Sequence, residues 1–134
     1  TIYADSALLQ KVEIFTGDYQ QIFPFAQGKT LFYLDPPYRP LNNTSSFNDY
    51  AKEPFNDLEQ VRLKEFCDKV DASGYHFMLS NSDCQDGFFD DLYSPYIIER
   101  VLASRSINAN PSKRGKLTEI LVHNYKEVKQ NQLF

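Results

Sequence analysis

Apolar residues in this chain fall in short runs separated by polar punctuation, and most runs have a readable period. Thr30–Leu34 (TLFYL) is a compact apolar run ending on Asp35, Pro36 and Pro37. Prolines cannot extend a ladder, so the pattern predicts a buried strand stopped at residue 35. Asn56 is a good N-cap, Glu59 can complete a capping box, and Leu63, Phe66, Cys67 and Val70 follow at i, i+3, i+4 and i+7. That predicts a helix with one apolar stripe, and Gly74 supplies its left-handed stop. Tyr75–Leu79 (YHFML) predicts the next strand, ending at Ser80, Asn81, Ser82 and Asp83. Ser82 or Asp83 is placed to cap a short helix with Phe88, Phe89, Leu92 and Tyr93 as its apolar side, and Pro95 ends it. Tyr96–Ala103 and Leu117–Tyr125 read as strands, and the basic stretch Ser106–Lys116 as the long tip of an antiparallel hairpin between them. Upstream, Val12–Phe15 is a short strand candidate broken at Gly17, and Leu8 and Leu9 can end a short helix. Residues 39–55 (RPLNNTSSFNDYAKEPF) are polar and read as a seventeen-residue loop, a length that in a compact domain is usually functional or mobile.

Strand, strand–loop–helix, strand–helix, strand, strand is an α/β order, predicting a parallel sheet with right-handed crossovers. Ligands of such sheets bind beyond the carboxyl ends of the strands. Asp35 and Ser80 both sit at such ends, on strands joined by one crossover, and should be neighbours on one rim.

Composition narrows the class. At 134 residues the chain is one ordinary domain or part of a larger one. With 42% apolar and 24% charged residues it is globular, which excludes disordered and collagen-like chains. The longest apolar runs are too short for a membrane helix, and no secretory signal is visible. A start at Thr1 rather than Met reads as a processed product or a piece of a longer protein. Cys67 and Cys84 form no CxxC pair, which argues against metal and for two buried thiols in a reducing cytoplasm. His76 and His123 lie in strand-like runs and read as structural.

Charge is uneven. Residues 100–126 hold Arg100, Arg105, Lys113, Arg114, Lys116 and Lys126 against Glu119, a local +6 − 1 = +5. The whole chain is −4, so the remainder carries −9. A basic segment on an acidic body suits a directed anionic partner, although a solvated hairpin has the same composition.

The sharpest feature is Asp35-Pro36-Pro37-Tyr38. Two prolines fix φ at successive residues, hold the preceding residues extended and remove two N–H donors. A rigid turn results, offering a carboxylate, carbonyls and an aromatic ring. It suits an amino group on a planar heterocycle: the amine donates to Asp35 and to the Pro36 carbonyl, and the Tyr38 ring stacks on the base face. A plain strand-ending turn is the other reading of DPPY alone; a preceding buried strand favours the functional one.

DPPYRPL followed by TSSFNDY and EPF, YHFMLSNSD, RSINANPSKRGKLTEILVHNY, and the GD-aromatic turn in VEIFTGDYQQI together resemble, in order, the Dam-type N6-adenine-specific DNA methyltransferases. The resemblance implies a partial Rossmann-like S-adenosylmethionine-dependent methyltransferase sheet with a C-terminal antiparallel hairpin. The family's F-x-G-x-G cofactor loop does not occur among the five glycines, so residues 1–134 resemble the C-terminal catalytic part, without that loop and most of the target-recognition domain. It implies transfer of methyl from S-adenosylmethionine to a flipped adenine in double-stranded DNA, by a cytoplasmic, nucleoid-associated enzyme whose missing N-terminal portion is a partner. By the same resemblance Asp35, Pro36, Pro37 and Tyr38 are catalytic, and Asp18, Tyr19 and Asp35 bind the cofactor. Tyr38, Ser80, Asn81, Arg105, Lys113, Arg114 and Lys116 face nucleic acid. The family's strand order resembles 3-2-1-4-5-7-6. Strands 1 and 2 are then missing, which leaves Val12–Phe15 without neighbours and TLFYL as an exposed edge prone to self-association. RNA or protein methylation, and a non-catalytic nucleic-acid-binding module, remain as alternatives.

Overall fold

The computed structural model describes residues 1–41, 54–103 and 117–126. Four strands form one sheet in the order β1-β2-β4-β3: β1 is Leu31–Leu34, β2 His76–Ser82, β3 Ile97–Ala103 and β4 Leu117–His123. β1 and β2 run parallel, with Leu34 opposite Leu79, while β4 is antiparallel to both β2 and β3. The sheet is therefore mixed, and its order follows the 4-5-7-6 run expected of one side of a methyltransferase sheet.

Among the described residues three α-helices accompany the strands: α1 (Ile2–Leu9), α2 (Asp57–Ala72) and α3 (Phe88–Leu92). α2 begins where its sequence predicts, because Asn56 Oδ1 accepts the amides of Leu58 and Glu59. It ends before Gly74, whose φ of +82° a side-chain-bearing residue rarely adopts. Its stripe of Leu63, Phe66, Cys67 and Val70 is buried against Phe32 and Leu34 of β1, Phe77 and Leu79 of β2, and Ile120 and Val122 of β4. Phe89 and Tyr93 complete this core from α3. Full burial of each such side chain is worth about 1.5–3 kcal/mol relative to exposure, so the core holds α2, α3 and the three inner strand faces as one body.

β1 alternates rather than being buried throughout. Phe32 and Leu34 enter the core, whereas Leu31 is 55% and Tyr33 62% exposed on the other face. The period of two explains this: TLFYL is apolar on both faces, but only one face meets α2. Among the described residues nothing pairs with the free edge of β1.

Several boundaries differ from the sequence reading. Val12–Phe15 is not a strand; Val12, Ile14 and Phe15 are exposed, and a four-residue run cannot form a strand without a partner. A 3-10 helix at Tyr19–Phe25, capped by the Asp18 side chain on the Gln20 amide, occupies the next segment and has no apolar periodicity to announce it. β2 extends through Ser82, because β4 pairs with residues 78–82 and satisfies backbone that otherwise faces water. Gly87, not Ser82 or Asp83, is the N-cap of α3, and the Asp86 carboxylate accepts the Phe88 amide. Cys67 and Cys84 are free and buried.

Candidate active site

The rim is assembled where β1 ends beside β2, which runs on to Ser82. β1 delivers Asp35 one residue past its last paired position, and Pro36 and Pro37 turn the chain outward. Ser80, one register step beyond the Leu34–Leu79 pair on β2, donates its hydroxyl to Asp35 Oδ1 at 3.0 Å. Asp35, just past the end of β1, thus meets Ser80, which lies within β2 rather than at its end, because β2 runs on to Ser82. Asp35 and Pro37 are exposed, and Pro36 and Tyr38 half-buried.

Behind the rim, buried amides hold the turn in place. Gln60 of α2 donates to the Pro37 carbonyl at 3.2 Å and accepts from the Asn81 amide at 3.2 Å. Asn81 Oδ1 in turn accepts the backbone amides of Arg39 at 3.0 Å and Ser82 at 2.9 Å. Asn81 is 0% exposed, with both ends of its amide engaged. Its place is behind the rim, where it fixes the backbone after DPPY rather than standing on the exposed surface. One proline carbonyl of the turn likewise has a partner, Gln60, where the sequence pattern alone offered none.

Arg39 is the unexpected member. Its guanidinium reaches Asp57 at the start of α2 through Nε (2.7 Å) and Nη2 (3.1 Å), meets Asp86 at 2.6 Å, and lies 4.3 Å from the Phe88 ring centre. Its backbone carbonyl accepts the Ser82 hydroxyl. A buried arginine is tolerated only when its charge is paired and its donors are satisfied, and Arg39 meets that condition at both flanks of the turn. The hydrogen bond with Asp57, reinforced by Asp86 against the cost of burial, holds its ionisation above the ordinary arginine range.

On the other side, the Tyr38 hydroxyl donates to Glu119 Oε2 of β4 at 3.1 Å. Burial pushes the Tyr38 phenol above the usual tyrosine range; a hydrogen bond with Ser80 opposes the shift and Glu119 adds to it.

An apolar cleft of about 300 Å³ opens beside Asp35, walled by Tyr19, Ile22, Leu34, Phe55 and Leu63, with Asp35 the only carboxylate among its described lining residues. Tyr19 comes from the 3-10 helix and packs edge-on against Phe66. Asp18 shapes the turn that presents Tyr19: its carboxylate accepts the Gln20 amide and pairs with Arg62 at 2.7 Å, which hold it below the ordinary carboxylate range. The rim thus gathers Asp35, Pro36, Pro37, Tyr38 and Ser80, with Tyr19 across the cleft and Asp18 one residue behind. Arg105, Lys113, Arg114 and Lys116 lie outside the described residues, as do 42–53 of the long loop.

Gln60, Arg39 and Glu119 are the residues that sequence reasoning passed over. Gln60 did leave a signal: it stands three residues before Leu63 on the apolar stripe, where a polar side chain must be buried and bonded. Arg39 and Glu119 left none, because their partners are distant in sequence.

Among the described residues no group of His, Cys, Asp and Glu side chains is arranged to hold a metal ion, and no helix is long and apolar enough to cross a membrane. Residues 2–107 match the model of the D12 class N6 adenine-specific DNA methyltransferases. The chain is 44% identical over 121 residues to the Type II methyltransferase M.MjaIII of Methanocaldococcus jannaschii, covering 90% of this chain and 42% of that protein. It is 40% identical over 114 residues to the Type II methyltransferase M1.LlaDCHI of Lactococcus lactis (85% and 39%), and 32% identical over 105 residues to a DNA adenine methylase of Haemophilus influenzae (78% and 36%). The chain therefore spans about two-fifths of the length of these relatives.

Proposed function

Because the chain belongs to the D12 class N6 adenine-specific DNA methyltransferases, we propose that it carries the catalytic rim of an enzyme that methylates N6 of adenine in double-stranded DNA. One observation supports this reading above the others: a carboxylate fixed by a neighbouring hydroxyl stands at the mouth of an apolar cleft, on a proline-locked turn with a tyrosine ring alongside.

The chemistry follows from that arrangement. An adenine inside a duplex must leave the stack before its amine can react, at a cost of a few kcal/mol. The Tyr38 ring offers the extruded base a stacking surface. The N6 lone pair is delocalised into the ring, so the amine is a poor nucleophile. Hydrogen bonds from N6 to Asp35 and to the Pro36 carbonyl favour a localised lone pair and stabilise the positive charge that develops on nitrogen. Gln60, Asn81 and Arg39 keep these acceptors in place, which supplies orientation rather than new chemistry. Asp35 need not be a strong base, since the proton can leave after the new N–C bond forms.

The cleft suits part of S-adenosylmethionine: its aromatic and aliphatic walls match a purine, and its single carboxylate matches a cationic centre. Asp35 would face the methionine portion, and the turn at Asp18 and Tyr19 would flank the adenine ring. When bound, the cofactor supplies an electrophilic methyl group. The glycine-rich loop that completes its site in the family has no counterpart in this sequence, and we assign that task to the remainder of the enzyme. Arg105, Lys113, Arg114 and Lys116 are assigned to DNA phosphates, where they give salt-dependent affinity rather than sequence choice.

Transfer of a labelled methyl group by the enzyme carrying this chain, followed by digestion of the DNA to nucleosides, tests the reading. The label is expected in N6-methyladenine and to be lost in Asp35→Ala while the fold persists; the 134-residue chain alone is expected to transfer none. Label in RNA or protein instead, or full turnover in Asp35→Ala, would refute it.

A further inference from the structure

Glu119 stands 81 positions from Tyr38 in sequence yet accepts its hydroxyl proton at 3.1 Å. In the sheet it is opposite Ser82 of β2 and Val101 of β3, and so shares a face with Ser80 two positions along β2. Ser80 in turn holds Asp35. The groups Asp35, Ser80, Tyr38 and Glu119 thus tie the end of β1, the C-terminal part of β2, the DPPY turn and β4 together at one rim. Glu119 is the third residue of β4, which begins at Leu117, directly after the stretch containing Lys113, Arg114 and Lys116.

A tyrosine ring on a turn is free to swing about χ1 unless its far end is tied. Here the hydroxyl is held by a carboxylate, a charge-assisted acceptor set on a three-stranded part of the sheet, beside its contact with the Ser80 hydroxyl. Resting on the functional reading above, we propose that Glu119 is a positioning residue: it sets the plane of the Tyr38 ring, so that an extruded purine stacks with its amine directed at Asp35. It also couples the base of the basic hairpin to the base-binding rim. Glu119 itself does not touch the purine; its effect passes through the Tyr38 hydroxyl.

The test has two readouts on the enzyme carrying this chain. The first is fluorine NMR of protein labelled with 3-fluorotyrosine, with the Tyr38 resonance assigned by its absence in Tyr38→Phe. The second is fluorescence of 2-aminopurine placed next to an adenine that faces an abasic site in a duplex: extrusion of that adenine unstacks its neighbour, which reports capture of a base bearing the N6 amine without requiring a known recognition sequence. Glu119→Ala is expected to move the Tyr38 resonance and to weaken base capture about five- to tenfold, the scale of one ordinary hydrogen bond, because the carboxylate acts only through the ring it holds. Tyr38→Phe keeps the ring and loses the hydroxyl with both its contacts, so it should weaken capture by at least that factor, with no further loss in the double variant. Glu119→Gln keeps an acceptor and should restore capture to within about twofold of wild type. Equal melting temperatures for wild type and Glu119→Ala separate this from a general loss of structure. A Tyr38 resonance that does not move in Glu119→Ala, or additive losses in the double variant, overturns the inference alone. A resonance that moves as expected while wild type shows no 2-aminopurine response overturns the functional reading and the inference with it.

Discussion

Asp86 shows how single residues set the stability of the rim. Burial raises its carboxyl, but the Arg39 guanidinium and the Phe88 amide more than offset this, and it sits below the ordinary aspartate value of 3.8. A carboxylate lowered by folding stabilises the native state above its unfolded value, and that contribution is lost as pH falls through the folded value. Wild type should therefore lose stability progressively below pH 3.8, and Asp86→Asn should show lower stability at neutral pH with a shallower acid limb, measured as melting temperature against pH. Equal acid limbs would show that the Arg39–Asp86 contact contributes nothing. At this scale the sequence was half legible. Asp35 and Ser80 announced their meeting by following two apolar runs, whereas Arg39 gave no sign of burial because its partners, Asp57 and Asp86, lie 18 and 47 positions away.

Among the elements, α2 was the most readable, since an N-cap, a stripe and a glycine stop all act within one segment. Val12–Phe15 and the 3-10 helix at Tyr19–Phe25 were not, because four apolar residues alone do not reveal whether a partner strand exists, and a 3-10 turn has no apolar period. β1 is the element with the plainest physical liability. Its free edge and its exposed Leu31 and Tyr33 form a flat apolar strip that another strand can extend. We predict that the chain self-associates at high concentration and that Tyr33→Lys, which places a charge on that strip, shifts sedimentation toward monomer. A wild-type chain that stays monomeric throughout would contradict this.

For the whole molecule, the division of charge is the organising fact. An acidic body of −9 and a segment of +5 at residues 100–126 are, on the proposed function, expected to orient the chain on DNA with the basic segment foremost. Part of that charge is spent internally: Arg100 bridges Asp83 and Asp90, so it braces the hairpin against α3. The remaining cations should govern the salt dependence of DNA binding. Replacing Lys113 and Arg114 by alanine should reduce the slope of log K against log salt by about 2 and weaken all sequences alike. An unchanged slope would remove them from the phosphate-binding role.

The central claim is that the DPPY turn recognises the exocyclic amine of an extruded purine, and it can be measured without any methyl transfer. Two duplexes are compared, each with one base opposite an abasic site: adenine in one, and in the other unsubstituted purine, which differs only by lacking the amine. A site built to hydrogen-bond that amine should bind the adenine duplex about tenfold more tightly, and Asp35→Ala should abolish the preference while retaining the salt-dependent part of the affinity. Equal binding of the two duplexes by wild type, or a preference that survives Asp35→Ala, would contradict the account.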